Sequence, residues 1–142
     1  MSIYQNILVA IDLNEEADKV IEKALQISLQ NDAKLTLIHI TEPLSYAYGG
    51  DIPMDVSSIQ KQLHDNAEQR MHDFVQQKNL GDVAQLLMSG HIETEVHRVA
   101  IELSSDLIIV GSHGRHGLAL LLGSTSNGIL HGATCDVLAV RI

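Results

Sequence analysis

The residues best suited to chemistry lie in one stretch, Gly111-Ser112-His113-Gly114-Arg115-His116-Gly117-Leu118, continuing to Gly123-Ser124-Thr125-Ser126. Six of the ten glycines fall between Gly111 and Gly132, so glycine is concentrated here rather than spread along the chain. Glycine lets a backbone approach a ligand where a Cβ would block it. Successive main-chain N–H groups can then form a nest for an anion. A helix start just downstream adds unpaired N–H donors and partial positive charge. Ser124, Thr125 and Ser126 bring hydroxyls to that start, and Arg115 brings a full charge. Phosphate is the chemistry this combination suits. A loop that merely turns the chain is the competing reading of the same residues. The stretch is neither a Walker A loop, lacking a closing Gly-Lys-Ser/Thr, nor the dinucleotide fingerprint, which belongs to a first strand-to-helix turn. The first turn here, Asp12-Leu13-Asn14-Glu15, has no glycine.

Strands and helices must position that stretch. Ile7 to Ile11 is a continuous apolar run ending at Asp12, as expected of a strand buried on both faces. Asn14 offers a helix cap, with Glu15 and Glu16 in the favoured first turn. Ala17, Val20, Ile21, Ala24 and Leu25 recur at helical spacing, and Asn31-Asp32 ends that helix. Leu35 to Ile40 reads as a second strand. Residues 41 to 55 hold both prolines and Gly49-Gly50, which reads as a long loop. Ile59, Leu63, Ala67, Met71, Phe74 and Val75 form a helical stripe closed by Gly81. Val83 to Met88 is a weaker strand. After Gly90, Ile92, Val96, Val99, Ala100 and Leu103 share a helical face. Leu107 to Val110 is the clearest buried strand, a short helix starts near Ser124, and Val137 to Val140 is the last strand. This strict alternation predicts a single doubly wound, Rossmann-like α/β domain over residues 1–142, with about four helices flanking a parallel sheet. Ligands of such sheets bind beyond the carboxyl ends of the strands, and Asp12, Ile40 and Gly111 stand at three of those ends.

The totals narrow the partners. Nine Lys and Arg face 18 Asp and Glu, for a formal charge of −9. Nucleic acid is not expected as a partner, because phosphate backbones are held by clustered basic residues. Cys135 is the single cysteine, which excludes an intrachain disulfide and a cysteine-based zinc site. Nothing at the start resembles a signal peptide, and no apolar run approaches a membrane span, so a cytoplasmic protein is expected. The eight histidines lack a recognised ligand pattern, and no metal is expected. His39, inside an apolar strand, reads as a hydrogen-bonded core or pocket-edge residue. His64 and His72 read as solvent-facing.

Gly111-Ser112-His113-Gly114-Arg115, Gly123-Ser124 and Val137-Leu138-Ala139-Val140-Arg141 resemble the carboxyl-terminal signature of the universal stress protein family. Ile7 to Asp12, Leu37 to Ile40 and Asp106 to Gly111 are similar to it as well, so the resemblance spans essentially the whole chain. It implies a five-stranded parallel sheet of order 3-2-1-4-5 and a homodimer joined through the last strand, Val137–Arg141. Some members of the family bind ATP through a Gly-x2-Gly-x9-Gly-Ser/Thr pattern. Carried over, Gly111, His113, Gly114, Arg115, Gly123, Ser124, Thr125 and Ser126 face phosphates and ribose, while Ala10, Asp12, Ile40 and Val110 line the adenine and ribose side. The expected ligand is ATP or AMP, with Mg²⁺ accompanying the nucleotide. One departure is measurable. Eight residues, not nine, separate Gly114 from Gly123. Gly128 within a short helix and Asp136, where many relatives carry proline, are two further oddities.

Two functions therefore compete: a nucleotide-binding dimer acting in the stress response, and a nucleotide-free dimeric interaction protein of the same family. The phosphate loop is compatible with slow ATP hydrolysis. The sequence offers no well-defined nucleophile or general-base pair for it, so an enzyme is not expected.

Overall fold

A computed structural model of the chain describes residues 2–13, 17–42, 56–112 and 124–142. These form strands β1 (Asn6–Ala10), β2 (Lys34–Thr41), β3 (Ala84–Ser89), β4 (Leu107–Gly111) and β5 (Asp136–Val140). The helices are α1 (Ala17–Asn31), α2 (Val56–Gln77), α3 (Ile92–Glu102) and α4 (Ser124–Gly132). All strand pairs are parallel and the sheet runs β3-β2-β1-β4-β5. This is the order the family resemblance implied.

Unbroken apolar strands are explained by two cores, one on each face. Ile7, Val9, Leu37 and Ile109 turn to one side and pack with Val20, Ile21 and Ala24 of α1 and Met71, Phe74 and Val75 of α2. Leu8, Ile38, Ile108 and Val110 turn to the other side and meet Val96, Val99 and Ala100 of α3 and Ile129 of α4. Successive strand residues point to opposite faces, so a strand covered by helices on both must be apolar throughout. Asp106 fastens the amino end of the sheet: its carboxylate accepts the main-chain N–H groups of Gln5 and Asn6, at 2.8 and 3.0 Å.

Three helices stop in the same way. Asp32, Asn79 and Ser104 adopt φ of 51°, 56° and 53°. The next residue in each case donates its N–H five residues back: Ala33 to Ser28, Leu80 to Val75, and Ser105 to Ala100. This is the left-handed helix stop usually built with glycine. The stop assigned to Gly81 is thus made by Asn79, a residue type that tolerates φ > 0. The stripe on α2 also needs correction. Ala67, Met71, Phe74 and Val75 are buried, but Ile59 and Leu63 are 47% and 43% exposed. The first half of this helix stands off from β2 across a cavity of about 560 Å³ lined by His39, Thr41, Leu63, Asn66 and Arg70. The Asn14 cap, Glu15, Glu16 and most of the loop at 41–55 lie outside the described residues. No helix among the described residues is long and apolar enough to cross a membrane.

Candidate functional site

The chain runs from β1 outward to β3, then returns across the sheet to β4 on the far side of β1. β1 and β4 are paired neighbours, but the chain leaves them toward opposite edges of the sheet, and ligands of such sheets bind beyond the carboxyl ends of the strands at that switch in order. Pairing fixes what meets there. Ala10 lies beside Ile38, and Val9 beside Ile109. Carried on by two and three residues respectively, the register sets Asp12 level with Ile40 on one side and Ser112 on the other. Neighbouring strands are about 4.8 Å apart, so three consecutive strand ends span about 10 Å, within the reach of one nucleoside.

Ala10, Ile40 and Val110 all pack on the α3/α4 face. Ile40 and Val110 are 8% and 3% exposed, and Asp12 is exposed. The helix α4 covers this same face through Ile129 and begins at Ser124. Ser124, Thr125 and Ser126 are its first three residues, where N–H groups lack intrahelical partners. Gly111 has a packing reason to be glycine: a Cβ there would come within 2.5 Å of the Ile142 Cδ1 and 3.4 Å of Val20. His113, Gly114, Arg115 and Gly123 lie outside the described residues.

Ser112 is the residue the sequence reading did not assign. Its main-chain N–H donates to the Val140 carbonyl at 2.7 Å, so that amide serves the sheet and not a nest. Its side chain is different. Ser112 is 6% exposed, and its Oγ is buried without a hydrogen-bond partner among the described residues. A buried hydroxyl normally finds a partner, so an orphan at a strand end is a site for a polar group to complete. The signal in the sequence was its place directly after the buried strand, masked by the glycines around it. Asp12 as acceptor, Ser112 Oγ as donor or acceptor, apolar Ile40 and Val110 beside them, and a helix start on the same face fit a sugar-phosphate group with an apolar base.

Three of the histidines singled out in the sequence lie among the described residues. His39 is half-buried and its Nδ1 lies 2.7 Å from the Ile11 carbonyl. His72 is exposed and His64 half-buried. Among the described residues no cluster of three or more His, Cys, Asp or Glu is placed to hold a metal. Asp136 accepts a hydrogen bond from the Tyr4 hydroxyl at 2.9 Å, far from the strand ends that carry the site.

Comparison with known proteins gives the family and the fold. The model of the universal stress protein family matches residues 3–141. The universal stress protein A homolog 2 of Coxiella burnetii is 46% identical over 146 residues, covering 100% of this chain and 98% of the relative. The universal stress protein UspA from Lactobacillus plantarum superposes with a TM-score of 0.83 at 21% identity, covering 99% and 100% of the two chains. A universal stress protein solved in complex with cAMP gives a TM-score of 0.62 at 24% identity, covering 98% of each chain. With the family model spanning nearly every residue and a relative close to half identical, the chain belongs to the universal stress protein family.

Proposed function

We propose that the protein is an adenine-nucleotide-binding universal stress protein, holding ATP or AMP at the carboxyl ends of β1, β2 and β4 and working as a homodimer in the cytoplasmic stress response. One observation carries the reading. The buried Ser112 Oγ, without a hydrogen-bond partner among the described residues, sits level with Asp12 and Ile40 at the switch in strand order, directly after the strand that leads into the glycine-rich segment. Asp12 accepts from the ribose hydroxyls, Ala10, Ile40 and Val110 receive the base, and Gly111, His113, Gly114, Arg115, Gly123, Ser124, Thr125 and Ser126 surround the phosphates. Mg²⁺ accompanies a triphosphate. Binding of cAMP by a family member supports adenine nucleotide as the ligand class. The chain acts as one domain over residues 1–142.

The dimer contact is assigned to Val137–Arg141. Among the described residues β5 pairs with β4 alone, which leaves it an edge strand. Val137, Leu138 and Ala139 are only half-buried there. An apolar edge strand invites pairing with a second copy.

The nucleotide-free dimer has one observation in its favour, the Ser112 amide spent on Val140. Equilibrium dialysis with and without Mg²⁺ separates the two readings. Binding at or below millimolar ATP is expected, and none at that level rejects the nucleotide function.

A further inference from the structure

Asp12 sits between two clamped peptide groups. Ile11 extends β1 by donating its N–H to the Ile38 carbonyl at 3.0 Å. Its own carbonyl accepts a hydrogen bond from His39 Nδ1 at 2.7 Å. A carbonyl only accepts, so that ring nitrogen carries the proton. One residue past Asp12, the Leu13 carbonyl accepts from an Arg70 guanidinium N–H. The Ile11 and Leu13 side chains are 6% and 7% exposed in the α1/α2 core, while Asp12 between them is exposed. Both donors reach in from the α1/α2 side of the sheet, His39 from β2 and Arg70 from α2, whereas Ala10, Ile40 and Val110 lie on the other side.

Arg70 is not held there by tight packing. Cavities of about 300 and 560 Å³ flank it, one toward Asp18 and Phe74 and the other toward His39 and Leu63. Among the described residues, its hydrogen bond to Leu13 is the specific interaction that places the guanidinium.

We infer that His39 and Arg70 are positioning residues: by holding the carbonyls on either side of Asp12, they fix the direction in which its carboxylate meets the ribose. Neither touches ligand. The carboxylate must lie within hydrogen-bond range of two hydroxyls, so freedom in this turn is lost on binding and weakens affinity. This role rests on the nucleotide reading; the clamp itself does not.

The test compares H39L, H39N, R70M and R70K in the full chain, each with and without D12A. ATP affinity is read by titration calorimetry, and main-chain hydrogen exchange at residues 12 and 13 is read in nucleotide-free protein. H39L and R70M should each weaken ATP binding about tenfold, the equivalent of one lost hydrogen bond, and speed exchange. H39N, which keeps a donor near the Nδ1 position, should bind within about twofold of the parent, and R70K should fall between R70M and the parent, because a point ammonium replaces only part of the fork. In the D12A background H39L should add less than about twofold, because interacting residues are not additive. An equal loss with and without Asp12 overturns the positioning role. ATP-binding parent protein with exchange and affinity unmoved in H39L and R70M overturns the clamp and leaves the nucleotide reading standing. Parent protein that binds no ATP, with exchange still faster in the variants, overturns the nucleotide reading and upholds the clamp. Arg70 lies on the surface of α2, so R70M keeps the test available even where H39L fails to fold.

Discussion

His97 on α3 packs directly against Gly132 on α4: a Cβ added at Gly132 would fall 2.6 Å from the His97 Nε2. One turn back, Glu93 lies against Gly128, where a Cβ would overlap the carboxylate. Two side chains four residues apart on α3 thus fit two glycines four residues apart on α4. This spacing places both members of each pair on one helix face. It explains a glycine inside a nine-residue helix and fixes α4, whose first turn carries the phosphate-binding assignment. Gly132→Ala should lower stability by about 1–3 kcal/mol, the usual effect of overpacking. G132A/H97A should recover most of that loss in urea unfolding. Equal destabilisation with and without His97 would mean that the ring is not what Gly132 accommodates.

Gly128 faces a more forgiving neighbour, since the tip of Glu93 can swing aside. Replacing glycine by alanine in a helix gains about 1 kcal/mol on its own. In the E93A background G128A should therefore stabilise by about that amount, and in the parent chain the gain should largely vanish. The same gain in both backgrounds would show that Glu93 exerts no pressure there.

The left-handed helix stops offer a third check. Ser104 at φ 53° carries a side chain where glycine is at ease. Ser104→Gly should raise stability by about 0.5–1 kcal/mol. Asn79→Gly should gain less, because asparagine tolerates this conformation. Thermal unfolding with no rise for Ser104→Gly would contradict the αL assignment.

Cys135 should be a slow thiol. Burial pushes its pKa above the ordinary 9.0, and the charges of Asp136 and Asp106 push the same way. The thiolate is the reactive form, so alkylation at pH 8 should be slower than for free cysteine, with its pH midpoint displaced upward. Asp136→Asn should return part of the rate. The sign for stability follows. The unfolded thiol ionises first, so this group's contribution is intact below about pH 9 and falls as pH climbs toward the folded pKa. A thiol as reactive as free cysteine would contradict the burial.

Legibility in the sequence followed burial. β1 and β4 were readable because both faces are covered, leaving apolar runs with few alternatives. α2 was readable as a helix but not in its contacts, since Ile59 and Leu63 keep the helical period while remaining exposed. Gly81 was misread as a stop because composition marks glycine, whereas the stop depends on which residue reaches φ > 0, and that is Asn79. At the candidate site, Asp12, Ile40 and Gly111 could be placed at strand ends from the pattern, while Val110 came from the family resemblance. Ser112 could not be singled out, because its orphaned hydroxyl arises from the packing around it. The clamp on Asp12 was hidden for a related reason: Arg70 is 57 residues from its Leu13 partner.

Gly114→Val tests the glycine-rich segment separately. A branched Cβ where main chain must meet phosphate should weaken ATP binding while leaving the unfolding midpoint unchanged. Unaltered affinity in a folded variant would remove this loop from the binding site.

The most direct measurement is an ATP titration followed by main-chain amide NMR shifts across the chain. Saturable shifts gathered at Asp12, Ile40, Ser112 and Ser124–Ser126, with the amino-end anchor at Gln5, Asn6 and Asp106 silent, are the expected result. No shift at the first group with millimolar ATP present, or shifts confined to another part of the surface, would contradict a nucleotide held at the carboxyl ends of β1 and β4.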